Sequence, residues 1–62
     1  MGVKFLGDWL IIASPHYDEN SGAWTVVVEV SRRFQLTETF PSQASAEEFG
    51  LRFAERWIKA RP

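Results

Sequence analysis

The segment from Phe40 to Ile58 most constrains the fold, because strand-like alternation gives way there to a helical pattern. Pro41 ends the alternation, and Ser45 followed by Glu48 fits a capping box, in which the two side chains satisfy backbone N–H groups at a helix start. Ser42 is an earlier candidate for the cap. The sequence therefore predicts one helix that runs to the chain end. Its apolar side chains fall on one arc: Ala46, Phe49, Gly50, Phe53, Ala54, Trp57, Ile58 and Ala60.

Charged side chains occupy the opposite face of this predicted helix. Glu48 with Arg52, and Glu55 with Lys59, are spaced four apart in the favourable orientation, and each pair stabilises a helix by ~0.2–0.5 kcal/mol. Gly50 lies in the apolar arc, where it costs a helix ~1 kcal/mol relative to Ala. We expect its benefit to be close approach of the helix to a sheet.

Three strands are predicted before the helix. The first runs from Val3 to Ser14, and the turn-forming residues of segment 15–22 connect it to a second strand from Trp24 to Ser31. A short hairpin at Arg32-Arg33 leads to a third strand from Phe34 to Phe40, in which Glu38 breaks the alternation as an inward acid or at a bulge.

The faces of these strands follow from their alternation. In the first strand Phe5 and Leu10 have opposite parity and both faces are apolar: Phe5, Trp9, Ile11 and Ala13 share one face, and Leu6, Leu10 and Ile12 share the other. In the second, alternation assigns Trp24, Val26, Val28 and Val30 to the helix side. We therefore predict a single α+β domain over residues 1–62, a three-stranded antiparallel meander packed on one C-terminal helix.

Composition narrows the classes of function. Seven Lys and Arg residues against eight Asp and Glu residues give a net charge of -1, so no global field draws the chain onto nucleic acid or an anionic membrane. The apolar segment 3–13 is too short to span a bilayer and is interrupted by Asp8. The absence of Cys excludes thiolate metal sites and thiol nucleophiles. We expect a cytoplasmic protein without cofactor, metal or membrane contact.

The residues also argue against an enzyme. His16 is the only histidine, and it lies beside Tyr17, Asp18 and Glu19, where a metal site or an acid–base pair is conceivable. Adjacent residues do not easily converge on one ion or substrate, so we interpret this stretch as an exposed hairpin loop. The four glycines are scattered and form no phosphate-binding loop. We interpret the Phe49, Phe53 and Trp57 stripe as core and the arginines as solvated charge.

A first resemblance concerns the segment from Trp24 to Ile58. Its alternating strands, the turn at Phe40-Pro-Ser and the helix opening Ala46-Glu-Glu are similar to the arm-type DNA-binding domains of phage integrases and, more distantly, to plant AP2 domains. In those families the exposed sheet face enters the DNA major groove. Carried onto this chain, the resemblance implies that the DNA is read by the sheet-face residues Thr25, Val27, Glu29, Arg33, Gln35, Thr37 and Thr39. With the basic hairpin tip included, we predict DNA contacts from a set of five residues: Thr25, Arg32, Arg33, Gln35 and Thr37.

A second resemblance covers nearly the whole chain. The Trp-containing first strand, the loop Pro15-His16-Tyr17 and the helix end Trp57-Ile58 resemble small proteobacterial proteins of unknown function with three strands and a C-terminal helix. This resemblance implies a fold and no activity. We therefore predict a non-enzymatic interaction module that binds a protein partner or a second copy of itself through Leu10, Ile12 and Val27, with weak DNA binding as the alternative.

Overall fold

The computed structural model describes residues 2–60 as a four-stranded antiparallel sheet with one helix against one face. The strands are Gly2–Leu6 (β1), Trp9–Asp18 (β2), Ala23–Glu29 (β3) and Arg33–Gln35 (β4), and the helix is Gln43–Lys59 (α1). The spatial order β1-β2-β3-β4 follows the chain, so the sheet is a meander. The α+β class and the C-terminal helix are confirmed, with four strands where three were predicted.

The additional strand arises because the predicted first strand is a hairpin. Leu6 pairs with Trp9 across a two-residue turn of Gly7 and Asp8. Gly7 has a φ of 61°, and no described residue other than glycine has a positive φ. That sign pattern is the one of a type II′ turn, which places Gly at its first central position and matches the twist of paired strands.

The next connection is shorter than predicted, since Pro15 to Asp18 continue β2. Pro15 pairs with Val26 of β3. Among residues 2–60, the pairing of β1 with β2 reaches only to Ala13, so Pro15 lies at a sheet edge, where proline is tolerated. The loop itself comprises residues 19–22. The Gly22 N–H donates to the Asp18 carbonyl oxygen at 2.9 Å, with Gly22 at a φ of 69°.

The predicted third strand is mostly irregular chain. After β4 ends at Gln35, regular pairing stops, and Phe40 returns to the sheet through an isolated bridge with Trp24, with both N···O distances 2.8 Å. Glu38 lies in the intervening segment and is exposed, so it does not point into the core. The segment between Gln35 and Phe40 therefore bulges away from β3, to which it is paired at both of its ends.

The core lies between the helix and the two central strands. Val26 and Val28 of β3 face the helix, as their alternation predicted. A Cβ atom on Gly50 would lie 2.9 Å from Val26 Cγ2 and 3.1 Å from Ala13 Cβ, which confirms that glycine permits the close approach. Among residues 2–60, the core hydrophobic residues that are fully buried are Ile11, Ala13, Val26, Val28, Ala46 and Ala54.

The helix begins at the earlier of the two candidate caps. The Ser45 N–H donates to Ser42 Oγ at 3.1 Å, and the Ser42 N–H donates to Ser45 Oγ at 3.3 Å, which closes a capping box three residues before the predicted one. The Ser45–Glu48 capping box is therefore wrong. Ala60, predicted on the buried arc, is the exposed C-cap residue. Positions 61 and 62, where the predicted helix would end, lie outside the described residues.

Candidate interaction surface

The face of the sheet opposite α1 carries a group of exposed apolar side chains on the first hairpin. The register pairs Val3 with Ile12 and Phe5 with Leu10, and these four residues are named here the outer apolar patch. Phe5 is 71% exposed, Val3 56% and Leu10 42%, while Ile12 is half-buried. Directly paired residues on one strand face have Cβ atoms ~4.5–5.5 Å apart, so the patch is contiguous.

The turn at Gly7-Asp8 decides which residues form this patch. In one continuous strand Phe5 would share a face with Trp9 and Ile11, as the sequence predicted. A two-residue turn reverses the chain and pairs Leu6 with Trp9, so Leu6 packs against the core and Phe5 points outward beside Leu10. Val3 and Phe5 were thus missed as surface residues. The Gly-Asp pair between two apolar runs is the sequence signal that could have identified the turn.

The inner face of β1 is held against the helix, which fixes the orientation of the hairpin. The Lys4 ammonium donates to the Glu55 carboxylate, and that hydrogen bond lowers the pKa of Glu55 below its ordinary value of 4.5. Glu55 therefore pairs with β1, whereas the sequence predicted Lys59 as its partner; Lys59 adds only a smaller attraction through space. The predicted Glu48–Arg52 pair is present at 2.7 Å.

The three residues predicted for self-association lie on the outer face, though not equally accessible. Leu10 and Ile12 belong to the outer apolar patch. Val27 lies on the neighbouring part of β3, opposite Ser14 on one side and Gln35 on the other, and only 8% of it is exposed. Val27 therefore supports the floor of this face and offers little contact area of its own.

The β3–β4 half of the outer face is polar and carries part of the predicted DNA-contact set. Thr25 and Gln35 lie on it, and Arg33 is paired directly with the acidic Glu29. The Thr25 hydroxyl donates to the His16 carbonyl oxygen at 3.4 Å.

Two members of the DNA-contact set lie elsewhere. The Arg32 guanidinium is 5.6 Å from the centre of the Phe34 ring, which packs against the helix on the inner side of the sheet. Thr37 is exposed in the irregular segment after β4. The structure therefore brings together three of the five predicted contacts.

His16 does not lie in a loop, contrary to prediction: it is an exposed residue of β2 opposite Thr25. Tyr17 points to the other face and makes an edge contact with Trp24 at 5.5 Å between ring centres. Within residues 2–60, no group of three or more His, Asp or Glu side chains is placed to hold a metal ion. Over the same residues, the helix is not long and apolar enough to cross a membrane.

No family model, curated protein or solved structure matches this chain. The resemblances to integrase arm-type domains and to small proteobacterial proteins accordingly stay predictions, and the function is argued from the geometry of the surface.

Proposed function

We propose that this chain is a non-enzymatic interaction module and that a second copy of the chain covers its outer apolar patch. The observation that carries the proposal is the contiguous exposure of Val3, Phe5 and Leu10 on a sheet face that the helix does not cover. Contiguous apolar surface of this kind marks protein contact sites. Full burial of one such side chain is favourable by ~1.5–3 kcal/mol, before the entropic cost of association is subtracted.

The chemistry of the patch favours contact over catalysis. Its four side chains are all apolar, so they supply contact area and carry no group that exchanges protons or binds a metal. Phe5 suits the role of a central anchor, because aromatic residues dominate the energetics of protein interfaces.

The charges around the patch favour a second copy as the occupant. A two-fold symmetric contact brings the same surface together on both sides, so it requires a self-complementary border. Glu29 and Arg33 provide opposite charges side by side on the adjoining strands. Lys4, the charged residue of β1, is paired with Glu55 on the inner face. With a net charge of -1, two copies repel each other only weakly.

Analytical ultracentrifugation over a micromolar to millimolar concentration series tests this proposal. Wild type should show a reversible monomer–dimer equilibrium, and Phe5→Ser should shift it to monomer. Tyr17→Ser is the matched control, because Tyr17 is an aromatic residue with 55% exposure outside the patch. Circular dichroism verifies that each variant is folded. A wild-type monomer across the series, or a dimer that Phe5→Ser leaves intact, contradicts the proposal.

A second candidate function is weak DNA binding by the polar half of the outer face. It is favoured by the shared face of Thr25, Arg33 and Gln35. It ranks second because Glu29 lies directly opposite Arg33 and offsets its charge toward phosphate. A titration of labelled protein with a mixed-sequence duplex tests it, first at low and then at physiological salt. Salt-sensitive amide shifts confined to residues 25–37 support this function, and an unchanged spectrum removes it.

A further inference from the structure

A groove on one flank of the helix combines aromatic side chains with two arginines. Phe49, Arg52, Phe53 and Arg56 follow the spacing i, i+3, i+4, i+7, so they form one stripe on α1. They line a cavity of about 150 Å³. A neighbouring cavity of about 260 Å³ shares Phe49 and Arg52 and adds Phe40, Ser45 and Glu48. The seven residues that line the two cavities are named here the arginine-flanked groove.

Aromatic side chains from outside the helix pack against the aromatic residues of the groove. Phe40 lies 4.9 Å from Phe49 between ring centres, and Phe53 lies 5.4 Å from Phe34. Phe49 remains 38% exposed, although the sequence placed it with the buried arc. The irregular segment after β4 explains this exposure, because no regular strand continues beside the helix there.

The charges of the groove are unbalanced. Arg52 pairs with Glu48 at 2.7 Å, but both side chains are well exposed, at 70% and 63%, so this pair is readily exchanged for another. Arg56 makes no ion pair with any of residues 2–60. Among the described residues that line the groove, Glu48 is thus the only acid, against two arginines.

We propose that the arginine-flanked groove binds an acidic peptide segment of a partner protein, with one large apolar side chain of that segment seated between Phe49 and Phe53. The guanidinium groups match carboxylates in geometry and charge. Each of the two cavities is smaller than the ~300–1,000 Å³ of a typical small-molecule site, and the cavity of about 150 Å³ between the arginines is the size of a single side chain. Arginine and aromatic residues are also the types most enriched at interface hot spots.

The groove and the outer apolar patch are separate surfaces. The patch lies on the sheet face opposite α1, and the groove lies on the helix. A dimer formed through the patch therefore leaves both of its grooves accessible. The groove proposal does not depend on dimer formation.

Amide-shift titration of labelled full-length chain tests the groove proposal. The probe is a short capped peptide that alternates Glu with Leu and Phe, and the matched probe replaces each Glu with Lys. The Glu peptide should shift amides of Phe40 and of residues 45–56, and binding should weaken as salt is raised. The Lys peptide should produce no saturable shifts.

The variants are chosen to leave the fold intact. The double variant Arg52→Gln and Arg56→Gln changes two exposed side chains, and it should weaken binding of the Glu peptide by about fivefold or more. Arg33→Gln is the matched control, since Arg33 is an exposed arginine on the outer sheet face. It should bind the Glu peptide as wild type does.

Several results overturn the proposal. These are equal responses to the two peptides, no saturable shifts at millimolar Glu peptide, wild-type affinity in the double variant, and shifts centred away from the groove. A DNA duplex that moves the same amides more strongly than the Glu peptide also overturns it and assigns the groove to nucleic acid.

Discussion

Gly50 determines how closely the helix approaches the sheet. A Cβ atom at this position would lie within 3.1 Å of methyl groups from both central strands. The residues that carry these methyl groups, Ala13, Val26 and Val28, are fully buried. Ala46 and Ala54, one turn to either side, are also completely buried. Small side chains at this spacing form a flat stripe on the helix, and the valines of β3 fill the space against it.

Substitution of Gly50 by Ala is predicted to lower stability, although Ala is the better helix former by ~1 kcal/mol. The added methyl would lie 2.9 Å from Val26 Cγ2, and overpacking of a core costs ~1–3 kcal/mol. Thermal and urea unfolding of Gly50→Ala should give a lower midpoint than wild type. An unchanged or raised midpoint would show that the interface is loose at this position.

Glu55 is predicted to make the free energy of unfolding depend on pH in the acidic range. The Lys4 hydrogen bond lowers the pKa of Glu55 in the folded chain, so this group stabilises the fold above its unfolded pKa. The stabilisation is lost as pH falls through the lowered folded pKa. Unfolding midpoints measured between about pH 5 and pH 3 should therefore fall more steeply for wild type than for Glu55→Gln.

The control for this pH series is Glu38→Gln. Glu38 is exposed and makes no ion pair with residues 2–60, so its removal should leave the slope of wild type unchanged. Equal slopes for wild type and Glu55→Gln would show that the contact between β1 and α1 does not contribute to stability in solution.

The stability of the helix depends on its N-cap, for which the sequence offers two candidate serines. Ser42 and Ser45 were both candidates for the N-cap, and Ser42 is the N-cap residue in the structure. Ser42→Ala is predicted to cost ~1 kcal/mol, because the first-turn N–H groups lose their acceptor. Ser45→Ala should cost less: it removes the bonds of the Ser45 hydroxyl to Ser42, at 3.0 and 3.3 Å, but the Ser45 N–H keeps its acceptor, Ser42 Oγ. Urea unfolding measures both, and the reverse order would place the cap at Ser45.

The helix and the central strand were predictable because each carries its periodicity in full. Val26 and Val28 alternate with polar or outward residues, and the stripe through Gly50 repeats at helical spacing. The first hairpin was not predicted, because apolar residues of both parities concealed the break at Gly7-Asp8. The strand predicted from Phe34 to Phe40 was too long, because local alternation does not reveal that part of a segment has no neighbouring strand to pair with.

The candidate site was predictable only in part for the same reason. Leu10 and Ile12 were recognised as apolar residues without a cover, and they lie on the outer apolar patch. Phe5 and Val3 join them only once the turn has set the register, and a shift of one residue moves a side chain to the opposite face. The arginine-flanked groove depends on where Phe40 returns to the sheet, which is a long-range pairing that no local pattern encodes.

One helix cannot cover both faces of a four-stranded sheet. The inner face is closed by α1, and the outer face keeps Phe5 71% exposed. A chain of 62 residues buries only ~60% of its unfolded surface, so the additional burial in a dimer is a substantial fraction of its stability. We therefore expect the thermal midpoint to rise with protein concentration in wild type and to rise less in Phe5→Ser.

Isotope-filtered nuclear Overhauser spectroscopy on an equimolar mixture of labelled and unlabelled chain shows whether a second copy covers the outer apolar patch. At millimolar concentration we expect intermolecular contacts from the Phe5 ring to the methyl groups of Val3 and Leu10. A spectrum without intermolecular contacts would rule out this dimer, as would contacts that arise only from other surfaces such as the arginine-flanked groove.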